Sequence, residues 1–218
     1  MMPRNYEEEI GRIDREKLII VEGSDEKYFL IHLLNNKGIE GIQIVDSHGR
    51  KELTQCIEAI KNIEGFDDVV SILIFRDSED SAQSESDSVN FSLKKTGLAA
   101  KDMEPFTMSN QNDRNIGFGL FPGKDANGKL YDYGTLEHLC LLLFKEKSNN
   151  ELIKKYIKDF QTRSNEKEFR YPHKNELHAL FSFTDDYVGL KIGETAKKGG
   201  FDFNSPCLQP FLEMIKEM

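Results

Sequence analysis

Three short apolar runs in the first half of the chain each stop at polar residues. Leu18-Ile-Ile-Val21 ends at Glu22, Ile42-Gln-Ile-Val45 ends at Asp46, and the run over 69–75 ends at Arg76-Asp77. Runs of this length, rich in β-branched residues and bounded by turn signals, predict buried strands of a parallel sheet. Between them the period changes. Ser24 is the predicted N-cap of a helix reaching Asn35 or Asn36 and closed by Gly38, with Tyr28, Phe29, Leu30, Ile31, Leu33 and Leu34 on a broad apolar face. Leu53, Cys56, Ile57 and Ile60 fall at i, i+3, i+4 and i+7 of a second helix. Residues 81–98 begin Ser-rich and turn weakly helical through Val89 and Leu93, and 106–108 and 116–121 are candidate fourth and fifth strands. Strand and helix in alternation predict an α/β fold, a mostly parallel sheet flanked by helices, with right-handed crossovers.

The second half has a different texture. Residues 122–134 form a turn-rich loop around Asn127-Gly128. Helical signals follow over 136–144, then Leu152, Ile153, Tyr156, Ile157 and Phe160 on one face, then Leu177, Leu180 and Phe181. Residues 166–174 are charged and expected at the surface, and a last amphipathic helix turns Leu208, Phe211, Leu212 and Ile215 inward. No linker forces a second domain. The expectation is one α/β domain over 1–218, with a core at 15–122 and a C-terminal helical extension at 134–218 packed on the sheet.

At 218 residues the chain is long enough to fold without a staple, since a domain of that size buries roughly 70% of its unfolded surface. Cys56, Cys140 and Cys207 lie far apart and form no C-x-x-C pair, so they predict no disulfide framework. Residues 1–11 lack an apolar signal core, and the longest apolar run, 139–144, falls far short of a membrane span. A cytoplasmic protein without membrane contact is expected. The net charge of −9 argues against a generic nucleic-acid coat. Any grip on nucleic acid must be local, or come from a protein partner or a second copy of the chain.

The chemistry gathers where the strands end, because ligands of open α/β sheets bind at the carboxyl edge. If strands one and three are neighbours, Glu22, Asp77 and Glu79 face one crevice with Arg76 as its sole built-in base. In extended chain i and i+2 share a face, so Asp77 and Glu79 point together, while Asp80 points away and could cap the next helix. Asp25 and Glu26 sit in the first turn of a helix, where the dipole favours acids by about 0.3–1 kcal/mol. That accounts less well for Glu22 and Asp77. Two carboxylates about 4 Å apart repel by roughly 4 kcal/mol at an effective dielectric of 20, and a cation or shared proton must compensate. Hard oxygen donors in small number suit Mg2+ or Mn2+, and hence phosphoryl chemistry. Glu22 is the candidate general acid or base. Glu137, in the first turn of a helix capped by Thr135, is a further acidic candidate. His48, His138, His173 and His178 read as structural or solvated, and tetrahedral zinc lacks its thiols or spaced histidine pair. The segment 193–200 lacks the residue order of a phosphate loop and reads as a solvated basic loop.

Two of these turns resemble the motifs of the Toprim superfamily. Val21-Glu22-Gly-Ser-Asp25 is similar to its first motif, and Arg76-Asp77-Ser-Glu79 to its second, an Asp-x-Asp after strand three. The resemblance implies a Toprim-like sheet, magnesium, Glu22 as the acid–base residue, and Asp77 with Glu79 as the metal-binding pair. Glu79 stands where the family has Asp. OLD-family nucleases within that superfamily use extra acids for a second metal, a role open to Glu137. With the Gly134-Thr-Leu-Glu137-His-Leu segment and the Gly199-Gly-Phe-Asp-Phe ending, the chain resembles a small stand-alone bacterial Toprim-like family. The expected function is Mg2+-dependent phosphodiester cleavage. The alternatives are a non-catalytic module binding metal, nucleotide or nucleic acid, and a receiver-like phosphoacceptor with Asp77 phosphorylated and Lys124 as the required lysine.

Overall fold

The computed structural model describes residues 10–49, 52–146, 150–164 and 169–218. They contain a five-stranded sheet in the order β2-β1-β3-β5-β4, built from β1 Lys17–Val21, β2 Ile42–Asp46, β3 Ser71–Asp77, β4 Thr107–Gln111 and β5 Arg114–Phe121. Strand β1 runs parallel to both β2 and β3, and β3 runs parallel to β5. The fold is therefore the α/β arrangement expected, with strands one and three adjacent.

The fourth strand departs from expectation. It is polar, starts one residue later and runs to Gln111, and it pairs antiparallel with β5. Asn112 and Asp113 make the tight turn with φ of 52° and 64°, the left-handed pair that a two-residue hairpin needs and that Asn and Asp tolerate. An edge strand of Thr, Ser and Asn carries no apolar run by which to recognise it.

Alternation along the strands divides the core. Leu18, Ile20, Ile72, Ile74, Ile116 and Phe118 face one side, covered by α2 (Leu53–Ile60) and α3 (Ala82–Lys95). Ile19, Val21, Leu73, Phe75 and Phe121 face the other, where they join α1 (Ser24–Lys37) and the helices of the second half in one continuous cluster. Those helices are α4 (Leu136–Leu143), α5 (Asn150–Ser164), α6 (Pro172–Ser182), α7 (Ile192–Lys197) and α8 (Gln209–Glu217). Truncating a strand residue such as Leu73 to Ala should cost about 2–5 kcal/mol.

Several helix ends and faces differ in detail. Gly23, not Ser24, is the N-cap of α1, without a side-chain cap, while Gly38 closes the helix at φ 64° as expected. Tyr28 is 53% exposed rather than inward. Beside it the supposed basic loop is the short helix α7, which approaches so closely that a Cβ on Gly193 would lie 2.4 Å from Tyr28 Cβ. Helix α5 buries Ile153 and partly Ile157, but Leu152, Tyr156 and Phe160 stay exposed. Of the charged stretch 166–174, residues 166–168 lie outside the described residues. Cys56 and Cys140 are buried free thiols and Cys207 is partly exposed. Among the described residues no helix is long and apolar enough to cross a membrane.

Candidate functional site

The register of β1 on β3 sets Val21 beside Phe75, which brings the next residues, Glu22 and Arg76, level at the carboxyl edge. Neighbours in a strand face opposite sides, so Arg76 and Asp77 part company. Arg76 is fully buried on the α3 side, with Nε 3.1 Å from Glu22 Oε2 and one terminal nitrogen 3.2 Å from Glu85 Oε1, itself fully buried in the first turn of α3. That helix is capped by Ser81, whose hydroxyl accepts from Ser84 N–H at 3.2 Å, and not by Asp80, which is exposed.

Asp77 turns to the other face and is 7% exposed. Its Oδ1 accepts the Leu136 N–H at 2.8 Å, so it is docked on the amino-terminal turn of α4. Ser78 fixes the chain just beyond, donating its hydroxyl to Phe121 O at 2.7 Å. Glu79 then adopts φ 51° and forms an antiparallel bridge with Gly134, donating its N–H to Gly134 O at 2.8 Å and accepting Gly134 N–H at 2.9 Å. A left-handed non-glycine residue costs roughly 1–2 kcal/mol, offset here by that two-bond bridge. The turn carries Glu79 to the mouth of the crevice, where its charge bears on His173.

Three elements supply the acids around Asp77. Glu26, in the first turn of α1, has its carboxyl pushed up to about 7 by burial and by Glu22, Asp25 and Glu137, against a hydrogen bond from its own backbone N–H. Burial, then Glu26, Glu137 and Glu22, raise Asp77 well above the usual carboxylate range, opposed by the Leu136 N–H. Burial and Glu137 raise Asp25, with Lys191, His178 and Lys174 opposing. Glu137 is the exception. Burial alone would raise it, but hydrogen bonds from Lys174 and Thr135 outweigh burial and hold it below its ordinary value. Lys174 Nζ lies 2.7 Å from Glu137 Oε1. Burial works against the ammonium, yet Glu137, Asp77 and Glu26 together hold it more firmly protonated.

Glu26 is thus in electrostatic reach of Glu22, Asp25, Asp77 and Glu137, while Glu79 stands at the mouth and Asp80 outside. Arg76 is not the sole base; Lys174 enters from α6, a residue without a role in the sequence reading. Its faint signal is Pro172 at the start of a helix, which puts His173 and Lys174 in a first turn. His138 and His173 also come together, stacked with centroids 4.3 Å apart. His138 Nδ1 accepts the Thr135 N–H at 3.1 Å, and burial with the neighbouring His173 pushes the ring down to about 4. His48 stays with Asp46, its ring Nδ1 3.4 Å from the carboxylate. Lys124, the candidate lysine of a receiver-like site, lies over the Phe106 ring at 5.2 Å, and the lysine whose charge meets Asp77 is Lys174.

The donor set fits a hard divalent cation in type and charge, for it is all carboxylate, and buried beyond what Lys174 neutralises. In arrangement, no group of three His, Cys, Asp or Glu side chains among the described residues stands converged as a ligand set; the acids surround an ammonium.

A family model described as "Protein of unknown function (DUF3226)" matches residues 16–218. The chain belongs to the DUF3226 family. No curated protein matches this DUF3226 chain. Among solved structures it is similar to the C-terminal region of the OLD protein of Xanthomonas campestris pv. campestris, at 14% identity and a TM-score of 0.46, over 94% of this chain and 96% of that one. So slight a likeness carries no chemistry from one protein to the other.

Proposed function

We propose that the crevice of this DUF3226 protein binds Mg2+ or Mn2+ and cleaves phosphodiesters. The observation that carries the reading is Asp77, buried at the carboxyl edge among Glu26, Glu137 and Glu22, with its carboxyl raised by that burial and then by their charge. A fold gathers like charges in this way at a cost unless a cation is part of the design. The Toprim-like sequence of the two acidic turns supports the same reading.

Asp77, Glu26 and Glu137 would hold the cation, with Glu79 and Asp25 at its margin. A bound divalent ion would polarise a phosphoryl oxygen and favour a nucleophilic water. The residues of the chain do the rest. Leu136 N–H fixes the Asp77 carboxylate, and Arg76 orients Glu22, the acid–base candidate. Glu26, with a carboxyl near 7 before any ion binds, would give up its proton as the ion enters.

The test is plasmid nicking by the purified protein with Mg2+ or Mn2+. Glu22→Gln and Asp77→Asn should abolish it, and unchanged cleavage in both variants overturns the reading. A second reading, a metal-binding module without turnover, is favoured by Glu79, which the Gly134 bridge holds at the mouth beside His173 rather than beside Asp77. It expects Mn2+ to raise the melting temperature by ligand linkage with no substrate consumed.

A further inference from the structure

The crevice opens onto a row of four rings. Tyr133 meets His138 edge-on at 6.2 Å, His138 stacks on His173 at 4.3 Å, and Tyr171 meets His173 edge-on at 6.3 Å. The end rings are surface rings, Tyr133 63% and Tyr171 44% exposed, and the imidazoles between them are half-buried. Burial in the core therefore does not explain why four flat side chains are lined up at this mouth. The row adjoins the acids directly, since His138 follows Glu137 and His173 precedes Lys174 in the chain.

Cations accompany the rings. The Arg170 guanidinium lies 5.1 Å and Lys174 Nζ 5.8 Å from the Tyr171 ring centroid. On α5, Tyr156 and Phe160 are exposed beside Arg163 and Asp159 around one surface hollow. The sequence charge follows the same division. Residues 145–183 carry nine Lys or Arg against six Asp or Glu, a net +3, so the remainder of a chain of net −9 carries −12. The described residues of that stretch alone carry seven Lys or Arg against four Asp or Glu, and its α6 end, with His173 and Lys174, borders the crevice.

We propose that the row Tyr133–His138–His173–Tyr171 is a stacking platform for the bases of a single-stranded nucleic acid, whose phosphates meet Arg170 and the basic α5–α6 arm, and which brings one phosphodiester to the crevice once a divalent ion is bound there. The proposal rests on the phosphodiester reading and adds the substrate class. A single strand offers the open base faces that rings and guanidinium groups take up without regard to sequence. A duplex hides those faces, and brings a second charged strand against a body of net −12.

The test is fluorescence anisotropy of a labelled 16-mer oligothymidylate with the full-length protein in EDTA, so that binding is read without metal or turnover. The wild type should bind at low salt, and more tightly than it binds a duplex of the same length. Tyr133→Ala and Tyr171→Ala should each weaken binding about fivefold or more, while the Phe variants, which keep the rings, bind as the wild type does. Arg170→Ala should weaken binding and flatten its salt dependence. Absence of binding, equal affinity for the duplex, or Ala variants that bind like the wild type overturns the platform; so does a Tyr→Ala effect confined to the oligomeric state in sedimentation, which marks a protein–protein face. Hydrolysis of bis(p-nitrophenyl) phosphate by the wild type with Mn2+ reads the crevice separately. Hydrolysis without oligonucleotide binding sinks the platform and leaves the proposed function standing, and binding without hydrolysis of either substrate does the reverse.

Discussion

Lys174 Nζ stands 2.7 Å from Glu137 Oε1, so acids gathered from the β1–α1 turn, the end of β3 and the start of α4 are held around an ammonium that α6 supplies. Lys174 is the built-in counter-cation of the metal-free crevice. A divalent ion entering that space competes with it for Glu137.

Lys174→Gln should therefore separate two effects. Loss of the charge-assisted hydrogen bond, half exposed on the lysine side, should lower stability in EDTA by about 1–2 kcal/mol in urea unfolding. The same variant should gain more melting temperature from Mn2+ than the wild type gains. An equal Mn2+ shift in both proteins would show that Lys174 does not compete with the ion.

Arg76 is fully buried between Glu22 and Glu85. Removing one partner of a buried ionic group leaves the others uncompensated, at about 3–5 kcal/mol. Arg76→Ala should lower the unfolding free energy from urea titration by that much, with a lower midpoint, and Arg76→Lys should recover little, because one ammonium cannot reproduce the guanidinium fork. A midpoint within experimental error of wild type in Arg76→Lys would contradict this role.

The carboxyl contribution to the pH dependence has a definite sign. Glu26 has its carboxyl raised from 4.5 to about 7, and Asp77 is raised in the same direction. A raised carboxyl stabilises the fold while it is protonated. Its contribution is complete below the ordinary value and fades as pH rises through the folded one. The carboxyl contribution to the melting temperature of the metal-free protein should thus decline between about pH 4.5 and 7, while His138, lowered to about 4, and His173 act in the opposite sense over the same range. Glu137, held low, acts in the opposite sense but below that window. Glu26→Gln should flatten the decline, and saturating Mn2+ should reverse it, since ion binding favours ionised ligands. A wild-type profile that runs parallel to that of Glu26→Gln over this range in EDTA would count against the coupled acids.

Gly134 has φ 137°, and a Cβ there would come 2.6 Å from Pro122 Cδ. It pairs with Glu79 and leads into the α4 turn that holds Asp77. Gly134→Ala should cost about 1–3 kcal/mol and weaken Mn2+ binding, measured by calorimetry, even though the side chain touches no ion. Unchanged affinity would separate the bridge from the site.

How much of this was legible in the sequence depends on distance along the chain. The strands and the acids that end them are local patterns, and so is Glu137 behind its Thr135 cap; these were readable. The parting of Arg76 from Asp77 was readable too, in principle, because the two are strand neighbours and must face opposite sides. The hairpin rests on Asn112-Asp113 between polar flanks, a turn signal without the apolar strand that would have given it weight. Lys174 meets Glu137 across 37 positions of sequence, and no local pattern announces such a partner. Periodicity also reports which residues share a face, not what covers the face, which is why Tyr156 and Phe160 on α5 looked inward and are exposed.

The central claim is tested most directly by a crystal soaked in Mn2+ and measured at an anomalous wavelength. The account expects a peak in the crevice bounded by Asp77, Glu26 and Glu137, with Lys174 drawn off Glu137, and no such peak in Asp77→Asn. A crevice without a peak at saturating Mn2+, with Lys174 still seated on Glu137, would contradict it.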